Sequence, residues 1–454
     1  MRNFFQLNML LLIAWSFITI STISSCTPTK GEESNLQIKI NHAESVAALL
    51  PRKNEMEGKE EYEMLKNKYE ESVKVLQEKG YNPKAYLNLA AIYITECRIT
   101  GNADYYNKAA IQVLDKIIQN DKADVNSSLE AYSLKSAVYL NIHQFEKGKQ
   151  MALKGLSINP GNAGLYGALV DASVELGDYK SAVMYCDKML SIRPDLRSYS
   201  RASYIRQIYG DNKGAMDAMK MAVEAGVAGN ENTEWARVHL GDLYMNEGKL
   251  KEATDQYNIS LAARPNYPHA EIGLAKVDKL NKNYVSAIDH TKKAIAQLSE
   301  ASFVSFLGEL YELNGDQAKA DKIYGDVLEL MGDSNDANAK DSLKHNGNRE
   351  FAMAYLDLKD YDNALKFAKA DLDSRPENID ANDLIAWILY KKGDAKAALP
   401  YSNKVFSTKI KNADMLYKAS LINSAAGNKE KSESLMKESM AVSDKIDPRF
   451  LTSK

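Results

Sequence analysis

Leu240-Gly241-Asp242-Leu243-Tyr244 and Leu307-Gly308-Glu309-Leu310-Tyr311 are close copies of one string, set 67 residues apart, or two periods of about 34. Other landmarks keep that interval: Pro160 and Pro194, Ala253 and Ala287, Ala364 and Ala398, Gly393 and Gly427. A period near 34 residues marks a helix–turn–helix unit that cannot bury its apolar face alone and must stack on copies of itself. A generic helical bundle fails as an explanation, because bundles do not repeat turn, small residue and proline at one interval.

Within the unit from Glu234 the order is Leu240, Gly241 and Tyr244, then Ala253, Tyr257 and Pro265. Large side chains fill the space between two antiparallel helices, while Gly241 and Ala253 permit close approach. Pro265 lacks an N–H and ends the second helix. The turn between helices is written as Gly177-Asp178, Gly210-Asp211, Gly315-Asp316, Gly393-Asp394 or Gly427-Asn428. Glycine there supplies the left-handed conformation that closes a helix.

This pattern resembles the tetratricopeptide repeat. Matching units begin near Glu130, Gly164, Arg197, Glu234, Pro268, Ser302, Asn346, Asp380 and Asp414, and a less regular one surrounds Leu89-Ala90-Ala91-Ile92-Tyr93. Ser173 and Asn423 stand where Tyr244 stands, so those units are expected to pack less tightly. The resemblance implies an all-α fold: a right-handed superhelical solenoid of stacked helix–turn–helix repeats. A solenoid grows by stacking, so 454 residues need no second core. The expected organisation is a signal peptide over 1–25, a flexible tether over 26–42, charged capping helices over 43–82, and a solenoid of about ten repeats over 83–454.

The amino terminus reads as an address. Arg2 precedes the apolar run from Met9 to Ile18, and Ile23-Ser24-Ser25-Cys26 follows. A positive start, an apolar centre and small residues before a cleavage point describe a secretory signal. The tetrapeptide looks like the lipobox of a diderm bacterial lipoprotein, in which the Cys26 thiol takes the lipid. The competing reading is an uncleaved anchor, since the stretch from Phe4 to Ile23 is long enough to span a membrane. Lys30 and Glu32-Glu33 suit a solvated tether, and resemble some surface-export signals. The expected place is the cell envelope, at the outer membrane, with the periplasmic face and the cell surface both open.

From Arg52 to Lys79 charge is dense, with Tyr62, Leu65, Tyr69, Val73 and Leu76 at helical spacing. One apolar stripe suits a cap on the first repeat and is too short for a coiled coil. The interval from Ala320 to Ala364 is ten residues too long, and the surplus is an Asp/Asn-rich insertion loop near 331–344. An EF-hand would need glycine sixth and glutamate twelfth, where Asn338 and Lys344 stand.

Chemistry is not written in this chain. There is no phosphate-binding glycine loop, no H-E-x-x-H and no cysteine pair at metal-ligand spacing, so neither enzyme nor cofactor nor metal site is expected. His239 adjoins Leu240 and reads as a core residue. Cys97 and Cys186 read as unpaired thiols, with Cys186 in the inward position of Tyr257. Loss of Arg2 with the signal takes the net charge from −3 to −4, and no basic stripe points to nucleic acid.

What remains is the concave groove. In tetratricopeptide repeats the first helix of each unit lines it, and extended peptides or helices of other proteins lie there. By phase, the inward set includes Tyr204, Trp235, His269, Lys276, Arg349, Trp387, Tyr390 and Tyr417. Aromatic residues and arginine dominate binding hot spots, although the same residues can pack between neighbouring helices. No basic carboxylate clamp is present. The reading is a membrane-anchored scaffold that binds an envelope protein of an assembly, secretion or transport complex. The alternative is a nutrient- or glycan-capture lipoprotein beside an outer-membrane transporter.

Overall fold

The computed structural model describes residues 46–51, 59–100, 102–330 and 346–451. The expected signal, the tether with Cys26, and the insertion near 331–344 lie outside the described residues. Apart from the segment 46–51 and the turns, the described chain is helical, with no strand among the described residues. α1 (Lys59–Lys79) precedes ten antiparallel pairs. These are α2 (Pro83–Thr100) with α3 (Ala103–Ile118), α4 (Val125–Asn141) with α5 (Phe145–Ile158), and α6 (Ala163–Glu175) with α7 (Tyr179–Ile192). Then come α8 (Leu196–Ile208) with α9 (Asn212–Glu224), α10 (Glu231–Asn246) with α11 (Leu250–Ala263), and α12 (Pro268–Leu280) with α13 (Tyr284–Gln297). α14 (Ala301–Leu313) pairs with α15 (Gln317–Leu330), α16 (Asn348–Asp357) with α17 (Tyr361–Ser374), α18 (Ile379–Lys391) with α19 (Ala395–Val405), and α20 (Ala413–Ala425) with α21 (Lys429–Val442). A four-residue helix, α22 (Pro448–Leu451), comes last. Each second helix packs on the first helix of the next pair, and first helices also meet across pairs.

The Gly-Asp turns work as the sequence suggests. Gly177, Gly210, Gly315, Gly393 and Gly427 all take positive φ. The carboxylates of Asp178, Asp211 and Asp394 accept backbone N–H groups at the start of the following helix. One dipeptide therefore closes a helix and caps the next. His143, Lys282 and Lys359 hold the same left-handed place without glycine.

The small-residue positions are sealed. Ala253, Ala287, Ala320, Ala364 and Ala398 have no exposed surface. At Gly241 the space is taken by a ring rather than by backbone: a Cβ there would lie 2.5 Å from Cε1 of Tyr257. Ser173 and Asn423 are fully enclosed, so their units close around a small polar side chain. Before α1, the extended segment 46–51 is held by tyrosines. Tyr69 and Tyr93 donate to the carbonyl of Ala47 (3.1 and 2.5 Å), Tyr105 donates to that of Ala48 (2.7 Å), and Tyr62 to that of Leu50 (3.1 Å).

Stacking alone would let each unit touch only its neighbours. This solenoid also closes on itself. Arg375 Nη1 reaches Glu175 Oε2 at 2.5 Å, Asn378 donates to the carbonyl of Glu175 (3.0 Å), and Ile379 N–H donates to Tyr179 Oη (2.9 Å). Asn346 meets His143, and Asn212 meets Lys411, in the same way (3.1 and 3.0 Å). Every one of these contacts joins residues about 200 positions apart, six pairs along the chain. Successive superhelical turns are thus in direct contact.

Candidate functional site: the concave cavity

The closed turns leave a cavity of about 1000 Å³ on the side of the first helices. Its walls follow one rule. In α10 they are Val238 and Asp242, in α12 His269, Ile272 and Lys276, and in α14 Ser302, Ser305 and Glu309. In α16 they are Arg349 and Met353, and in α18 Asp380, Asp383 and Trp387. Residues spaced three and then four apart lie on one helical face, so each first helix presents one stripe to the cavity. The last residue of each stripe directly follows the small residue of the repeat: Gly241, Ala275, Gly308, Ala352 and Ala386. The small residue faces the partner helix, and its successor faces the open side. α20 contributes Met415 and Lys418.

The cavity carries both signs of charge and little of it is free. Lys276 stands 3.7 Å from Asp242, Lys359 stands 3.1 Å from Glu312, and Lys418 pairs with Asp383. Burial raises the Asp357 carboxyl to about 6 against the opposing pull of Arg449, and Ser305 Oγ donates to it at 2.7 Å. Burial pushes His239 and His269 down to about 4, so both are neutral imidazoles at neutral pH.

A recess of about 200 Å³ opens beside this cavity, lined by Tyr204, Met219, Trp235 and Leu243, with His239 and Asp242 shared between the two spaces. His239 packs edge-on against Trp235, with ring centroids 4.0 Å apart, and the buried Trp235 Nε1 and His239 Nε2 have no hydrogen-bond partner. His239 is therefore a wall residue rather than the core residue its neighbour Leu240 suggested.

Of the eight residues chosen by phase, Tyr204 and Trp235 line the recess, and His269, Lys276, Arg349 and Trp387 line the cavity. Tyr390 lines neither and stacks on Trp387 (5.1 Å between centroids). Tyr417 also stands outside both. The acidic residues Asp242, Glu309, Asp380 and Asp383 share the phase of the chosen set, so the signal for them was already present. Cys97 and Cys186 are free thiols, each pushed up to about 12 by burial. Among the described residues no group of three His, Cys, Asp or Glu could hold a metal ion.

Residues 163–196, which are α6, α7 and their flanking turns, match the tetratricopeptide repeat. The chain thus carries that repeat within a helical solenoid of the same architecture. PilF of Pseudomonas aeruginosa is similar at 18% identity, over 45% of this chain and 93% of its own, with a TM-score of 0.37. TTC0263, a thermophilic tetratricopeptide-repeat protein of Thermus thermophilus, is similar at 18% identity over 43% of this chain and 98% of its own, with a TM-score of 0.37. Human IFIT1, solved as a dimer with m7Gppp-AAAA, is similar at 14% identity over 84% of this chain and 87% of its own, with a TM-score of 0.44. No curated protein matches the sequence.

Proposed function

We propose that this chain is a lipid-anchored scaffold of the cell envelope that holds a segment of another protein in the cavity bounded by α10 to α20. The observation that carries this reading is the convergence of one stripe from each of six consecutive first helices on a single space of about 1000 Å³. Its walls alternate apolar surface (Ile272, Phe303, Phe306, Trp387) with charges of both signs. Such a surface suits a peptide, whose side chains alternate in the same way, better than a uniformly charged polymer. Ile23-Ser24-Ser25-Cys26 supports the anchor, which two acyl chains would make stable.

A photo-crosslinking residue placed at Lys276 or Ser302, in intact cells, is expected to capture one protein that the same residue at the exposed Val285 does not. Equal capture from all three positions, or retention of an oligosaccharide instead of a protein, would overturn the reading. The anchor is tested separately. Intact mass of membrane-extracted protein should show a diacyl or triacyl adduct on a chain beginning at Cys26, and Cys26→Ala should release the protein from membranes.

A further inference from the structure

One wall of the cavity is a peptide, and it is this chain's own: Pro448, Arg449, Phe450 and Leu451 line the open space. Four residues past α21, residues 447–451 lie across the concave face, touching five first helices. The Asp447 carboxylate accepts from Lys279 Nζ of α12 at 2.9 Å, and Lys279 also donates to Glu309 of α14 at 2.8 Å. Arg449 Nε lies 3.0 Å from Glu309, and its Nη1 lies 3.9 Å from Asp357 of α16. The Phe450 ring stands edge-on to Trp387 of α18 at 5.1 Å, with Lys418 Nζ 5.5 Å from its centre. The Asp447 N–H donates to Asp414 of α20 at 3.1 Å.

These contacts are made by side chains presented in order: a carboxylate, a guanidinium two residues on, and an aromatic ring three residues on. The concave face answers each in turn, with the buried Lys279 ammonium behind the cavity wall and the Glu309 and Asp357 carboxylates and the Trp387 face on it. The segment's own helix is a single turn of four residues, too short to be stable by itself. Its hold on the concave face therefore rests on recognition of those three groups, together with the Asp447 N–H bond to Asp414 and the burial of Pro448.

We infer that residues 447–451 are a resident ligand of the concave cavity. When they leave, the site they fill accepts a protein segment carrying the same three groups in the same order. This rests on the reading that the cavity binds a protein segment, and it adds the chemistry of that segment and the condition for its entry. A tethered ligand acts at an effective concentration of order millimolar, so an external segment of equal intrinsic strength is strongly disadvantaged while the resident one is intact.

The test uses the full chain and a fluorescent synthetic peptide of residues 444–451, followed by anisotropy. A chain carrying Asp447→Ala, Arg449→Ala and Phe450→Ala together should bind the peptide saturably and at least about tenfold more tightly than the unaltered chain. The same peptide with Phe450→Ala should lose at least about tenfold in affinity. Absence of saturable binding by the folded triple variant would overturn the inference, as would equal affinity of the two chains. If the triple variant loses helicity, Phe450→Ala alone in the full chain must show the gain. Loss of folding by that variant too would make the segment part of the core and overturn the inference. The probe is the chain's own sequence, so failure here leaves the crosslinking test of partner capture standing, and failure of that test leaves this one readable.

Discussion

The ring of Tyr257 lies in a slot between Gly241 of its own helix pair and Gly273 of the next. A Cβ on either glycine would stand 2.5 or 2.4 Å from the ring. Tyr257 is fully buried, and its hydroxyl donates to Asp242 at 2.8 Å. One ring thus ties two repeats together and orients a carboxylate on the cavity wall.

Gly241→Ala is expected to cost roughly 1–3 kcal/mol by overpacking, read by urea denaturation. Gly325, within α15, is the control: nothing lies within 4 Å of its Cβ position, so Gly325→Ala should stabilise by about 1 kcal/mol through helix propensity. Equal effects at the two sites would mean that the slot relaxes.

The contact between superhelical turns can be isolated with glycines. Gly393 and Gly177 both hold positive φ, but a Cβ at Gly393 meets nothing, whereas one at Gly177 would lie 2.4 Å from the backbone of Glu377. Gly393→Ala should cost about 1–2 kcal/mol for conformation alone. Gly177→Ala should cost measurably more, and hydrogen exchange near residue 378 should quicken with it.

Arg375 is buried, and grips Asp371 of its own helix while reaching Glu175 in the preceding turn. Arg375→Ala leaves the buried Asp371 and the partly buried Glu175 without their cation; breaking a buried pair typically costs about 3–5 kcal/mol. Faster hydrogen exchange should appear both at 371–379 and at 174–179. Acceleration confined to the first of these would show that the two turns are uncoupled.

The Glu300 carboxyl is raised to about 7 by burial, with Ser302 opposing at 3.2 Å. Its folded value exceeds its unfolded one, so the folded chain binds more protons between pH 4.5 and 7, and this group lowers stability as pH rises through that window. Glu300→Gln should be close to neutral at pH 4.5 and stabilising at pH 7.5, by at most roughly 3 kcal/mol. His239 and His269 act with the opposite sign. Their folded values near 4 lie below 6.5, so they cost stability as pH falls from 6.5 to 4. Ring-proton titration by NMR should place both midpoints near 4.

The repeat was legible because its signals are local. Gly177-Asp178 and its counterparts encode a turn and a cap within two residues, and the interval from Ala253 to Ala287 encodes the stacking distance. The cavity was half legible. Helix phase placed Trp235, His269 and Trp387 on the concave side, but a preference for aromatic and basic residues passed over Asp242, Glu309 and Asp383 in that same phase. The closure between turns was not legible. Glu175 and Arg375 sit 200 residues apart with no shared motif, and their meeting depends on a superhelical pitch that sums small rotations over six helix pairs. The docking of Phe450 on Trp387 was hidden for a different reason: residues 447–451 follow the last helix pair and carry no repeat phase to place them.

That closure sets an order of assembly. Each helix pair can stack on its neighbours early, because those contacts are local, while the carboxylate of Glu175 and the hydroxyl of Tyr179 stay in water until partners 200 residues on have taken their place. The first turn of the superhelix therefore forms with an open rim, and the helices from α16 onward complete it.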